Sequence, residues 1–381
     1  MRTSRRSDVD PFIVMDVMEA AREAEAAGRH IIHMEVGQPS TPAPAAARRA
    51  LADAMEAGPL GYTVALGLPE LRSGIAELYD RWYGISLDPD RVVVTAGASG
   101  AFLLAFSALF DAGDKVGLAA PGYPSYRQIL KAMSLHPVSL QGRAEHGFQP
   151  QPSDVAGLQG LSAASPANPT GTMLSKDEYD ALSDACAEAD CALISDEIYH
   201  GICYEARCVS ALEVTDDVFV VNSFSKYFSM TGWRIGWMVV PGSHVRNVER
   251  LAQNMFICAP HASQVAALGA LGATDELDRH LATYRANRAL LLDGLKSAGI
   301  PVISPADGAF YIYIDVSEFT GDGLALASDI LAEVGVAVTP GLDFDPVRGA
   351  QTLRLSYARA TAHMEEGLAR LTQFFERRRG S

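Results

Sequence analysis

Cysteine is scarce in this chain: five among 381 residues, an odd number. A large chain so sparsely supplied does not read as a disulfide framework, and reduced thiols are expected. Cys186 with Cys191, and Cys203 with Cys208, form two CxxxxC pairs. Those intervals exceed the commoner spacing of structural zinc sites, so buried thiols are expected and no metal is assigned. Positive charge is also in deficit, with 31 basic against 46 acidic residues and a formal charge of −15. A nucleic acid or an anionic membrane needs a basic stripe, so this balance argues against both. No apolar run approaches the ~20 residues that span a bilayer. The opening MRTSRRSDVD lacks an apolar leader core, and Asp8 and Asp10 follow its arginines at once. A cytoplasmic protein is expected. Repeats, low-complexity tracts and Pro/Gly-rich linkers are missing too, which implies domains that pack closely.

What is present is a 48% hydrophobic composition over a length that exceeds the usual single-core domain, so two domains are expected. The middle of the chain alternates short β-branched runs with amphipathic stretches. RVVVT at 91–95 precedes a helical segment at 99–109, and KVGLAA at 115–120 precedes one at 125–133. An apolar run at 158–165, a helix at 175–189, and strands CALIS at 191–195 and VFVVNS at 218–223 continue the pattern. Such alternation predicts an α/β fold with a mostly parallel sheet covered by helices. Ligands of such sheets bind beyond the carboxyl ends of the strands, where Asn168, Asp196, Ser223 and Lys226 all fall. A long helix at 275–298, with Leu277, Leu281, Tyr284, Leu291 and Leu295 on broadly one face, leads into a smaller α+β unit. Its strands are read at 309–315, 336–340 and 353–358.

The run SFSKYFSMTGWRIGW at 223–237 sets Lys226 among aromatic and small residues, with Arg234 eight positions on. Desolvation lowers an ammonium's pKa, and only the neutral amine attacks an aldehyde, so the setting suits covalent carbonyl chemistry. A guanidinium suits a phosphate. An aldehyde and a phosphate together point to pyridoxal 5′-phosphate (PLP). On residue types alone, a surface lysine beside an aromatic core explains the run equally well.

The same run resembles the lysine motif of the class I and II aminotransferases, the fold-type I PLP enzymes, nearly residue for residue. Further matches follow in the family's order: VGQPS at 36–40, GYTVALGLPELR at 61–72, TAGAS at 95–99, PGYPSY at 121–126, SPANPTG at 165–171, SDEIYHG at 195–201 and LRLSYA at 353–358. The resemblance implies a large PLP-binding domain at 44–280 and a discontinuous small domain at 1–43 and 281–381. It implies that Lys226 holds the cofactor and then serves as general base, and that Asp196 pairs with the pyridine nitrogen. Tyr199 and Asn168 would bond the cofactor's 3′ oxygen, and Tyr123 would stack on its ring. Ser223, Ser225, Arg234 and the amides of Ala98 and Ser99 would cup the phosphate. Tyr62 would reach the phosphate of a neighbouring subunit, making a homodimer. Arg354 and the backbone of Gly37 would hold the substrate carboxylate, with Asn168 beside them. Standing alone, several of these residues read otherwise: an Asp after a buried strand is more often a helix cap, and Asn-Pro is a turn signal.

The implied reaction is ping-pong transfer of an amino group from an L-amino acid to a 2-oxo acid. A PLP-dependent carbon–sulfur β-lyase keeps nearly the same cofactor residues and is the alternative. A non-catalytic PLP-binding ligand sensor is a third reading, although only ~30 residues precede VGQPS, too few for a winged helix. Relatives acting on acidic substrates use a basic residue from the partner subunit or a lysine aligned with Ser99. Asp343 and Asp345 in PGLDFDP at 340–346 would repel a second carboxylate if they faced the site. Neutral or aromatic substrates are therefore expected.

Overall fold

A computed structural model describes residues 1–380. Its centre is a seven-stranded sheet. In chain order the strands of the molecule are β1 (Ile32–His33), β2 (Val92–Thr95), β3 (Lys115–Ala120), β4 (His136–Gln141), β5 (Gly160–Ala164), β6 (Ala192–Asp196), β7 (Phe219–Ser223), β8 (Gly236–Val239), β9 (Tyr311–Asp315), β10 (Val336–Ala337), β11 (Thr339–Pro340) and β12 (Thr352–Ser356). The large sheet runs β2-β8-β7-β6-β5-β3-β4, with β8 antiparallel to both neighbours and the other pairs parallel. Strands such as VVVT and FVVNS are buried on both faces because helices cover both.

The helices that matter for the site are α1 (Ile13–Ala26), α2 (Ala45–Ala57), α3 (Pro69–Tyr83), α4 (Gly97–Leu109), α5 (Pro124–Ala132) and α6 (Lys176–Glu188). Local chemistry sets their ends. Ser175 and Glu178 form a reciprocal capping box at the start of α6. Pro69 opens α3 and Gly84, in the left-handed region, closes it. One core packs Ile75, Tyr79, Val94, Leu161, Phe224 and Trp237 on one side of the sheet. Another packs Phe102, Phe106, Val116, Ile194 and Met238 on the other.

A third core joins Tyr284, Leu291 and Leu295, from the long helix Thr274–Ser297, to Tyr311, Ile312, Leu353 and Leu355. Here β11, β12 and β9 form a small antiparallel sheet, while β1 pairs in parallel with β10. The run VAVTP is therefore two strands rather than the single one expected. Val336–Ala337 turns to β1 and Thr339–Pro340 turns to β12. Three other strands escaped the sequence pattern, the two-residue β1 among them. His136–Gln141 is a half-exposed edge strand carrying Pro137, and Gly236–Val239 lies within the lysine motif. No helix among the described residues is long and apolar enough to cross a membrane.

Candidate active site

The parallel strands deliver their following loops to one end of the sheet. There they line a cleft of about 510 Å³. Ala98 and Ser99 stand in the first turn after β2, Tyr123 follows β3, Asn168 follows β5, Asp196 ends β6, and Ser225 and Lys226 follow β7. Gly37, Tyr199, Arg234 and Arg354 complete the set. Of the residues expected at the site, Tyr62 and Ser223 alone do not line it. Tyr62 is 82% exposed on the surface. Ser223 lies behind Ser225: its hydroxyl donates to the Ile235 carbonyl, lies 2.8 Å from the Ser225 hydroxyl and accepts from the Ser225 amide. It orients the loop from beneath.

Lys226 Nζ donates to the Gly37 carbonyl at 2.6 Å. The side chain opens into the cleft but is otherwise enclosed by protein. Desolvation, reinforced by the nearby Arg354 and Arg234 guanidiniums and opposed by Asp196, lowers its pKa to about 7. At neutral pH a large fraction of the amine is neutral and nucleophilic. Asp196 is buried, and that burial raises its carboxyl to about 6. The Ile198 amide donates to Oδ1 at 3.0 Å and the Tyr126 hydroxyl to Oδ2, which favour the charged form. Its neighbour Glu197 points to the other side of β6, where it accepts from Ser195, Ser210 and the Ala211 amide. The strand's alternation therefore selects Asp196 for the cleft.

Arg234 has φ +50° and carries its guanidinium back to the start of α4. Gly97 permits the approach: a Cβ there would sit 2.4 Å from Nη2. A guanidinium, the Ser225 hydroxyl and the unpaired first-turn amides of a 13-residue helix converge there, a donor set that suits a phosphate. Beside it, an amine with lowered pKa suits an aldehyde, a buried carboxylate suits a protonated ring nitrogen, and the flat Tyr123 suits a ring face. The cleft's own chemistry therefore fits PLP.

Arg354 is 3% exposed. Nη1 donates to Asn168 Oδ1 at 2.9 Å, and Nη2 donates to the Glu35 carbonyl and, at 3.2 Å, to Thr339 Oγ1. Its Nε is buried without a partner. The guanidinium lies 4.3 Å from the Tyr311 ring centroid and 4.6 Å from that of Phe344. A cation so pre-positioned in a cleft, with donor capacity unspent, suits a carboxylate.

Sequence reasoning did not assign several contributors. Tyr311 bonds the Tyr199 hydroxyl at 2.7 Å and closes on Gly37, where a Cβ would fall 1.8 Å from its hydroxyl. The alternation of AFYIYID marks it as inward, but nothing marks it as a cleft residue. Tyr126 stood within the quoted PGYPSY run. Phe12, Val14 and Met15 from the start of α1, with Phe102 and Ile129, form an apolar wall that no motif announces. Asp343 and Asp345 do not line the cleft. Asp343 accepts from the Ile13 and Val14 amides, and Asp345 holds the Arg348 guanidinium at 2.9 Å. Neither faces the cleft, the condition on which the expected repulsion depended.

Residues 29–371 match the family model "Aminotransferase class I and II". The valine–pyruvate aminotransferase of Mycobacterium tuberculosis is 48% identical over 97% of both chains. A crystal structure from Silicibacter pomeroyi shares 62% identity with a TM-score of 0.93, covering 99% of this chain and 100% of its own. The aspartate aminotransferase of Thermus thermophilus, solved with maleate, is 32% identical with a TM-score of 0.91, covering 98% and 100%.

Proposed function

This chain belongs to the class I and II aminotransferases, which are PLP-dependent, and on that premise we propose that it moves the amino group of a neutral, apolar or aromatic L-amino acid to a 2-oxo acid by a ping-pong route. The observation that carries the substrate class is the wall of Phe12, Val14, Met15, Phe102 and Ile129. Among the described residues, the lysines and arginines lining the cleft are Lys226, Arg234 and Arg354, each matched to another task. Ser99 stands where acidic-substrate relatives of one branch carry lysine. The name of the 48% relative, a valine–pyruvate aminotransferase, points the same way.

When bound, PLP supplies an electron sink that makes the amino acid's Cα proton labile. The chain's residues do the rest. Arg354, backed by Asn168 and the Gly37 backbone, grips the α-carboxylate and orients the Cα–H bond. Lys226 Nζ, beside the Gly37 carbonyl, would hold the cofactor through its aldehyde and, once free, would be the base that takes the Cα proton. Asp196 holds a proton on the ring nitrogen. Tyr199 and Asn168 would hold the 3′ oxygen, Tyr123 would cover the ring, and Ser225, Arg234 and the Ala98 and Ser99 amides would hold the phosphate.

The functional unit is a cytoplasmic homodimer of chains divided at 44–280 and at 1–43 with 281–381, so that Gly37 and Arg354 face Lys226 across the cleft. Tyr62 supports the dimer. It stands in water with the exposed Val64, and the Thr63 amide between them donates to Cys258 Sγ at 3.5 Å, next in sequence to the exposed Ile257. A panel of amino donors with pyruvate tests the substrate class. Valine and other apolar or aromatic donors should turn over best; preference for aspartate or glutamate would overturn it.

A further inference from the structure

Helix α1 begins without a cap of its own. Phe12 occupies the N-cap position and offers no side-chain acceptor, leaving the first amides to find one elsewhere. They find it 330 positions away, where Asp343 Oδ1 accepts from Ile13 and Oδ2 from Val14, each at 3.2 Å. Asp343 is 3% exposed. The carboxylate therefore meets protein rather than water, and its bonds join two elements far apart in sequence.

Both elements belong to the cleft. On one side, Phe12, Val14 and Met15 line it, with Phe12 edge-on to Tyr123 at 5.9 Å. On the other, the residue after Asp343 is Phe344, whose ring lies 4.6 Å from the Arg354 guanidinium and whose carbonyl accepts from the Gly122 amide at 3.0 Å. One carboxylate thus fixes the spacing between an apolar wall and the arginine that would anchor the substrate.

We propose that Asp343 is a positioning residue for donor selectivity, seating the start of α1 so that Phe12, Val14 and Met15 meet the side chain of an amino acid held at Arg354. The inference rests on the reading of the cleft as a site for apolar donors. Asp343 touches neither cofactor nor substrate in this assignment. It acts through α1, whose approach is also tied down at Asp10 by Lys131 and Gln128 of α5. With those ties in place, loss of Asp343 should loosen the wall without releasing the helix.

The test measures the amino-donor half-reaction by cofactor absorbance in holoenzyme, using alanine, valine and phenylalanine. Hydrophobic pockets discriminate a methylene or two by about ten- to two-hundredfold, so Asp343→Ala should cost valine and phenylalanine about tenfold in second-order rate constant and alanine less than about twofold. Asp343→Asn, with one oxygen still accepting, should fall between. The PLP spectrum should stay unchanged in both. Equal losses for all three donors, or none, would overturn the proposal. Should neither variant fold, hydrogen exchange on wild-type protein decides: Ile13 and Val14 amides protected like helix-interior amides support the clamp, and free exchange overturns it. Failure of the underlying reading shows separately, as wild-type enzyme that prefers aspartate to valine.

Discussion

Lys226 Nζ and the Gly37 carbonyl lie 2.6 Å apart, although 189 positions separate the two residues. The bond crosses the cleft from the loop after β7 to the segment after β1. It places the nucleophilic amine beside the backbone that would face the substrate carboxylate. The amine proposed for covalent chemistry and the backbone proposed for substrate anchoring therefore share one small volume.

Lys226→Ala should abolish turnover while leaving PLP bound noncovalently, since the phosphate cup and the ring contacts survive. Wild-type protein treated with borohydride should retain the cofactor after denaturation, and the variant should release it. A variant with wild-type turnover would remove Lys226 from the mechanism.

The lowered pKa of Lys226 makes PLP capture by apoenzyme pH-dependent. As pH rises through about 7, Nζ loses its proton and becomes the nucleophile, so the capture rate should climb to a plateau above that midpoint. An ordinary lysine would keep gaining toward ~10.4. Arg354 is the largest charge lowering this pKa, after desolvation. Arg354→Ala should therefore move the midpoint up, and stopped-flow absorbance would report it.

Asp196→Ala should fold and bind PLP yet slow the half-reaction by at least about a hundredfold, the usual scale for losing a positioned proton-holding group. An unchanged half-reaction rate would reduce Asp196 to a cap on the Ile198 amide.

The sites of strongest chemistry were legible through the family's motifs, since residue types alone left a surface lysine and a helix-capping aspartate open. Asn168, Asp196, Lys226 and Arg354 all reach the cleft. The α/β class and most central strands followed from apolar periodicity. Legibility failed where one residue's role depends on a distant partner. Ser223 matched the phosphate motif, and only the fold shows its bonds to the Ile235 carbonyl and the Ser225 amide. Asp343 read as a charge on a lip, and only the fold shows the uncapped helix it serves. The apolar wall from α1 and the split of 336–340 into two strands share that cause, since local pattern carries no information about which remote surface a segment meets.

Arg354→Ala should weaken amino-acid donors far more than PLP. Charge-assisted hydrogen bonds are worth roughly 1.5–3 kcal/mol each, which predicts at least a tenfold rise in KM. Amines without a carboxylate should be nearly indifferent. Equal losses for both substrate types would mean that the Asn168 and Glu35 contacts of Arg354 hold the fold rather than the substrate.

Tyr62→Ala and Lys226→Ala, made in separate chains and allowed to exchange subunits, should complement one another. Only the heterodimer joins an intact Lys226 to an intact Tyr62 across an interface, so activity should rise well above either parent. Demonstrated heterodimers without rescue would place Tyr62 outside the active site.

The central claim is amino transfer rather than elimination, and the stoichiometry of a single half-reaction addresses it most directly. Holoenzyme mixed with excess L-valine and no 2-oxo acid should release one equivalent of 2-oxo acid per Lys226 site, lose its yellow absorbance, stop, and yield no ammonia. Continued release of a 2-oxo acid together with ammonia, or a cofactor spectrum unmoved by every apolar, aromatic or acidic amino acid, would contradict it.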